Sequence, residues 1–199
     1  MKVKIKKEGK TKNYKLISKW SDVTMDKWLK LIKLETGSKT KEAEETIVTL
    51  SNIPRQLVKE LSVKDVAVIM QRLSEIQAEG KSSFKKIVEI EGKEYGFIPD
   101  LNEITLGEYA DLETFIKNGL EKHLPEIMAV LFRPIVEKED DVYSIKAYDG
   151  NIRIRAERFK KMSAEQVQSA LVFFWTFGKE LSKILPLYLM QRLKEMNKQ

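Results

Sequence analysis

The sequence has no cysteine and only one histidine, His123, in 199 residues. Without cysteine the chain forms no disulfide and offers no thiolate, which excludes cysteine-based catalysis and thiol redox chemistry. One histidine without cysteine also excludes a structural zinc site and argues against a catalytic one. His123 lies beside Pro125 near a predicted helix start, and no neighbouring motif supplies the nucleophile and acid of a catalytic dyad. This position favours a surface or helix-capping histidine.

Other absences bear on phosphate binding and on membranes. The nine glycines are scattered among turns and form no phosphate-binding loop. The longest apolar run, residues 170–177, is far shorter than the roughly 18–20 residues that cross a bilayer. The first ten residues lack the apolar core of a signal peptide. We therefore expect no membrane span, no cofactor and no bound metal, and because no catalytic residue can be named we expect no enzymatic activity.

The positive charge is confined to one end of the chain. Residues 1–19 contain eight lysines and one acid, whereas the rest has 28 basic and 29 acidic side chains. The lysines alternate with Val3 and Ile5, which predicts a strand with one wet face inside a hairpin over residues 2–20. Two interpretations remain open for this face: a solvated edge that resists aggregation, or a polyanion-binding surface. The first is favoured because no exposed aromatic side chains accompany the lysines, and the second would use Lys4, Lys6 and Lys15.

Capping residues and apolar spacing predict an α+β fold that is predominantly helical, a helix cluster decorated by about three β-hairpins. Helix N-caps are predicted at Thr24, Thr40, Thr105 and Ser163. The later hairpins are predicted around residues 88–97 and around the Asp149-Gly150 turn, with strands near 143–147 and 152–154. A linker-like stretch near residue 80 divides the chain into regions 1–80 and 81–199, although one continuous domain remains open. After Thr105 the predicted buried helix face consists of Leu106, Tyr109, Leu112, Phe115 and Ile116.

Four acids and three arginines flank the predicted third hairpin. The acids do not have the spacing of an EF-hand, so a magnesium or calcium site is the weaker interpretation. Cross-strand pairing between the acids and the arginines is the favoured one. The residues concerned are Glu137, Glu139, Asp140 and Asp141 on one side and Arg153, Arg155 and Arg158 on the other.

Two apolar stretches are candidate partner-binding surfaces. Val66, Ile69 and Leu73 follow a helical 3-4 spacing and form a stripe that must pack against something. Residues 170–177 are apolar on nearly every side of a predicted helix, which is typical of a core helix or of a partner interface. Burial in the core is favoured for this helix, and Phe174 and Trp175 are the side chains that could remain for a partner.

The segment from Trp20 to Gln77 resembles the tail assembly chaperones of long-tailed phages. The resemblance rests on KWSDVTMDKWLKL and on TIVTLSNIPRQLVKELSVKDVAVIMQRL, where a Leu-Ser-x-Ile-Pro turn precedes an amphipathic helix with an acidic first turn. In the second half, LGEYADLETFI and IMAVLFRPI resemble uncharacterised phage-encoded proteins associated with virion assembly. The hairpins and the chain length depart from the smaller helical chaperones, which leaves a head–tail connector or tail component open.

The resemblance implies a phage assembly factor that acts by protein–protein binding. Its partner would be a phage structural protein such as the tape measure or the tail tube, whose helices it shelters in an apolar groove. It implies action in the host cytoplasm during assembly, with residence in the virion and homo-oligomerisation left open. A nucleic-acid-binding module that uses the N-terminal lysines is the alternative from another class.

Overall fold

The computed structural model describes residues 2–7, 10–34, 36–79 and 83–173, which fold into helices and two antiparallel sheets. The predicted α+β class is confirmed, with three hairpins beside a larger set of helices. Short 3-10 helices cover Trp20–Asp22 and Leu101–Glu103. The strands are β1 (Lys2–Lys7), β2 (Lys10–Lys15), β3 (Ile87–Ile90), β4 (Lys93–Phe97), β5 (Phe132–Glu139) and β6 (Val142–Ile145). The helices are α1 (Met25–Ile32), α2 (Lys39–Leu50), α3 (Arg55–Lys59), α4 (Val63–Glu79), α5 (Leu106–Lys117), α6 (Leu124–Leu131), α7 (Ile152–Phe159) and α8, described over residues 164–173.

The strands form one two-stranded sheet, β1-β2, and one four-stranded sheet in the order β3-β4-β5-β6. In the larger sheet, Tyr95 and Phe97 of β4 are buried against the helices, whereas Gly96 faces the other side. The ring of Tyr143 in β6 lies over Gly96, and its hydroxyl donates to the carbonyl oxygen of Phe97 at 2.8 Å. This contact ties the outer strand β6 to β4 across β5.

The third hairpin exists, but the predicted strand pairing is wrong. β6 pairs with β5 through a turn at Asp140 and Asp141, and residues 152–159 form helix α7 instead of a strand. The reason is a helical 4-3 spacing of buried side chains, Ile152, Ala156 and Phe159, which outweighs the local Asp-Gly turn signal. α6 ends at Leu131, and the next residue, Phe132, begins β5.

Three of the four predicted N-caps are confirmed. The side-chain oxygens of Thr24, Thr105 and Ser163 accept hydrogen bonds from the backbone N–H groups three residues later. The fourth is wrong: Ser38 caps α2 by accepting from the N–H of Lys41, and Thr40 lies inside the first turn.

Two groups of buried side chains hold the structure, and helices α1 and α8 join them. The N-terminal core is formed by Leu16, Ile17, Trp20, Val23, Ile47, Leu50, Ile53, Val58, Ile69, Leu73 and Ala164, and the C-terminal core is centred on α6 with β3–β5 and α7. Met25 packs in the C-terminal core, although it precedes residue 80. The N–H of Met25 donates to the carbonyl of Met162 at 2.7 Å, and the N–H of Ala164 donates to that of Val23 at 2.7 Å. These contacts favour one continuous domain.

We expect Ser163→Ala to lower the free energy of unfolding by about 1 kcal/mol, the usual contribution of an N-cap side chain. Ser163 caps α8 at the point where its backbone bridges to Thr24 of the N-terminal region. Urea denaturation measures the change. Ser144→Ala, at an exposed strand position, is the matched control and should stay within about 0.5 kcal/mol of the wild type. Equal effects of the two substitutions would contradict the assigned cap.

Candidate protein-binding surfaces

The apolar stripe of α4 packs inside the N-terminal core. Ile69 and Leu73 are 6% and 5% exposed, and Val66 is half-buried against the same core. Only the rim of the stripe at Val66 is therefore accessible in this conformation. Its role in binding a partner stays a prediction that requires Ile69 and Leu73 to leave the core.

The described part of α8 ends in an aromatic cluster. The ring of Phe173 stacks on Phe84 with 4.6 Å between centroids and meets the edge of Phe97 at 5.4 Å. Phe173 nevertheless remains 39% exposed, and Val172 beside it is 68% exposed. Phe174 and Trp175, the predicted partner-binding residues, lie outside the described residues.

Helix α5 carries an exposed apolar pair where the sequence predicts a buried face. Leu106 is 84% exposed and Tyr109 38% exposed, whereas Leu112 is buried. At about 100° per residue, Leu106 lies half a turn around the helix from Phe115, so both cannot face the core. The helix face that is buried consists of Glu108, Leu112 and half-buried Phe115. Because this face contains a carboxylate, the spacing of apolar residues alone does not predict it.

Leu106 and Tyr109 are three residues apart and hence neighbours on one helix face. The remaining exposed positions of that face include Ala110 and Glu113. The first turn of α5 therefore presents apolar side chains to solvent, and the charged Glu113 follows one turn later. This α5 face, Leu106, Tyr109 and Ala110, is the apolar surface that sequence reasoning missed.

The lysine hairpin, formed by β1 and β2, exposes to solvent the lysine-bearing face that the sequence predicts to be solvated. Lys4 pairs with Asn13 in the strand register and Lys2 with Lys15, so Lys4 and Lys15 share one face, and both are exposed. Lys6 lies opposite Thr11 in the same register. On the other face, Val3, Ile5 and Tyr14 pack against the N-terminal core.

The predicted pairing between the acidic residues and the arginines is wrong, because the arginines belong to α7 and not to a strand. Arg155 Nη1 pairs with Asp149 Oδ1 at 2.7 Å, and Arg158 Nη1 donates to the hydroxyl of Tyr95 at 3.3 Å. The hydrogen bond from Arg155 lowers the pKa of Asp149 below its ordinary value.

A buried ion pair joins α5 to β5. Glu108 and Arg133 are 1% and 8% exposed, and Arg133 Nη2 lies 2.8 Å from Glu108 Oε1. The other oxygen, Oε2, accepts from the backbone N–H of Thr105 at 2.7 Å and from its hydroxyl at 2.6 Å. Burial lowers the pKa of Arg133, and the negative charge of Glu108 acts against that shift. Glu108 is thus both the partner of Arg133 and half of the capping box of α5.

Tyr148 extends this polar cluster toward the loop before α7. Its hydroxyl donates to Asp111 of α5, and burial together with that carboxylate raises the pKa of Tyr148. Arg155 also donates from Nε to the carbonyl of Ala129 at 3.4 Å. The carboxylates of Glu108, Asp111 and Asp149 are therefore held by internal partners, which is the arrangement of a structural network.

His123, expected to be a surface or helix-capping residue, occupies the N-cap position of α6. Its side chain makes no capping hydrogen bond. Its ring stacks on Phe115 with 5.5 Å between centroids. Within the described ranges, no group of three or more histidine, cysteine or acidic residues is arranged to hold a metal ion. In the same part of the chain, no helix combines the length and apolarity required to cross a membrane.

Comparison of the chain with protein-family models, with curated proteins and with solved structures finds no match.

Proposed function

We propose that this protein is a phage assembly factor that acts by protein–protein binding, most specifically a tail assembly chaperone that shelters helices of the tape-measure protein. The resemblance of residues 20–77 to tail assembly chaperones supports the family. The observation that carries the mode of action is the apolar surface left open on α5, where Leu106 is 84% exposed.

The α5 face suits an amphipathic helix as its ligand. Leu106 and Tyr109 supply about one helical turn of apolar contact, and Glu113, paired with Lys117 at 2.9 Å, supplies a charged rim. A helix-in-groove contact is anchored by apolar side chains at i, i+3 and i+4, which is the spacing that Leu106, Tyr109 and Ala110 present. Tape-measure helices, held apart until the tail tube grows, are ligands of this chemistry.

A non-enzymatic role is part of the proposal. The buried carboxylate of Glu108 is held by Thr105 and Arg133, the half-buried one of Asp111 accepts from Tyr148, and the exposed one of Asp149 is paired with Arg155. A general acid or base needs a carboxyl group that is free to exchange a proton with a substrate, and these three carboxylates are already engaged by other side chains of the fold.

Co-purification with a coiled-coil fragment of the tape-measure protein tests the proposal. We expect the wild type to retain the fragment and Leu106→Glu/Tyr109→Glu to bind it at least tenfold more weakly, because the contact would have to bury two charges. Val63→Glu is the matched control: Val63 is also the first residue of a helix and is 87% exposed, so its affinity should change less than twofold.

Equal losses in the α5 variant and in the Val63 variant would contradict the assignment to α5, and no retention by the wild type would contradict the proposed ligand. Mass spectrometry of mature virions separates the chaperone from a connector or tail component. A chaperone is absent from the finished particle, whereas stoichiometric presence would favour the structural alternative.

A further inference from the structure

The turn of the β5–β6 hairpin carries a concentrated negative charge. Its four acids, Glu137, Glu139, Asp140 and Asp141, are all exposed and are called the acidic tip here. None of them forms an ion pair with another described residue. Lys138, the basic residue between them, is held by Glu94 of β4 at 2.8 Å.

The same hairpin exposes apolar side chains at the edge of the four-stranded sheet. Val142 is 76% exposed and Val136, at the bulge of β5, is 59% exposed. β6 is the outer strand and pairs only with β5 among the described strands. An exposed edge strand with apolar side chains is a template for pairing with another chain.

The lysine hairpin presents the opposite charge. Lys4, Lys12 and Lys15 are exposed and form no ion pair with any residue in the described ranges. Lys4 and Lys15 lie on the face opposite the partly buried Val3, Ile5 and Tyr14, whereas Lys12, which is paired with Ile5 in the register, lies on the same face as these three residues. β1 likewise has a strand neighbour, β2, on one side only in the described structure.

We propose that the acidic tip of one copy of this chain docks against the lysine hairpin of a second copy. Each surface repels its own kind, so neither two tips nor two lysine hairpins pair with each other, and the complementary surface is present on every copy. In each chain, β1–β2 rests on the N-terminal core and β5–β6 continues the sheet of the C-terminal core. A contact between two different patches is head-to-tail and propagates into a ring or a filament. This proposal does not depend on the proposed function.

Sedimentation velocity over a range of protein concentrations tests the contact in the full-length chain. The wild type is expected to form species larger than a monomer at about 50 mM salt and to dissociate at least tenfold more readily at about 500 mM. The reason is that the screening length falls from about 14 Å to about 4 Å over this range. A wild type that stays monomeric at about 50 mM salt and high concentration would overturn the proposal.

Charge exchange identifies the two surfaces. Lys4→Glu/Lys12→Glu/Lys15→Glu and Glu137→Lys/Glu139→Lys/Asp141→Lys should each be monomeric alone, and an equimolar mixture of the two should associate again. In the mixture, the native tip of the first variant meets the native lysine hairpin of the second, and the reversed surfaces also match.

The matched control is Glu89→Lys/Glu103→Lys/Glu121→Lys, which changes the net charge as the tip variant does but at exposed acids elsewhere. It should associate like the wild type. Circular dichroism establishes whether each variant folds. A charge-reversal variant that fails to fold is replaced by the neutral variant at the same positions, with Lys→Gln, Glu→Gln and Asp→Asn. Each neutral variant should weaken association at least threefold.

A mixture that remains monomeric, or single variants that still associate, would overturn the head-to-tail contact. Binding of a fluorescent DNA oligonucleotide tests the alternative that the lysine hairpin binds nucleic acid. If the monomeric wild type binds the oligonucleotide in a salt-dependent manner and the lysine variant does not, the proposal is overturned and the lysine hairpin is assigned to nucleic acid.

Discussion

Arg133→Met should lower the free energy of unfolding by about 3–5 kcal/mol, the usual cost of removing one partner of a buried ion pair. It leaves the carboxylate of Glu108, which is 1% exposed, without its positive partner. Glu108→Gln should cost a similar amount, because the guanidinium of Arg133 then stays buried without a counter-charge. Urea denaturation at neutral pH measures both.

The double variant decides whether the pair acts as a unit. We expect Glu108→Gln/Arg133→Met to cost less than the sum of the two single changes, since neither charge remains buried alone. The exposed pair Lys30 and Asp26 is the control, and Lys30→Met should cost no more than about 1 kcal/mol. Single changes that cost as little as the control, or strictly additive costs, would contradict a buried pair.

Gly96→Ala should destabilise the protein by about 2–4 kcal/mol. A Cβ atom at this position would lie 2.7 Å from Cδ2 of Tyr143 and 2.9 Å from Cγ2 of Ile145, closer than real contacts allow. Overpacking of this kind costs about 1–3 kcal/mol, and displacement of Tyr143 from the carbonyl of Phe97 adds about 1 kcal/mol. Thermal and urea unfolding should both report the loss.

Gly107→Ala provides the matched control with the opposite expected sign. Its Cβ would meet the ring of Tyr148 at an ordinary 3.6 Å, and alanine favours the helix by up to about 1 kcal/mol over glycine. Tyr143→Ala provides the rescue, because removal of the ring should reduce the cost of Gly96→Ala. An unchanged cost in that background would show that Tyr143 is not what excludes a side chain at Gly96.

The sequence predicts the features of this fold that depend on a few neighbouring residues. The capping residues Thr24, Thr105 and Ser163 were predictable because a hydroxyl three residues before its amide partner is a local signal. The buried face of α6, which includes Leu124, Ile127 and Leu131, was predictable because a helix of almost entirely apolar residues has to lie in the core.

Features that depend on distant residues could not be predicted in this way. β5 pairs with β4 across more than thirty residues, and that pairing, not the Asp149-Gly150 turn, decides where the third hairpin lies. The bond between Glu108 and Arg133 spans twenty-five residues and carries no sequence signal. With Glu108 buried against Arg133, Leu106 lies about 200° away around α5 and faces solvent, and no local signal in the sequence indicates this orientation.

Isothermal titration calorimetry of the purified protein with a coiled-coil fragment of the tape-measure protein is the most direct measurement. We expect saturable binding with a negative heat-capacity change, because apolar surface at Leu106 and Tyr109 leaves water on association. The α5 variant Leu106→Glu/Tyr109→Glu should bind at least tenfold more weakly. Absence of saturable binding, or equal affinity and heat-capacity change in the wild type and the variant, would contradict a protein that acts by offering this helical surface to a partner.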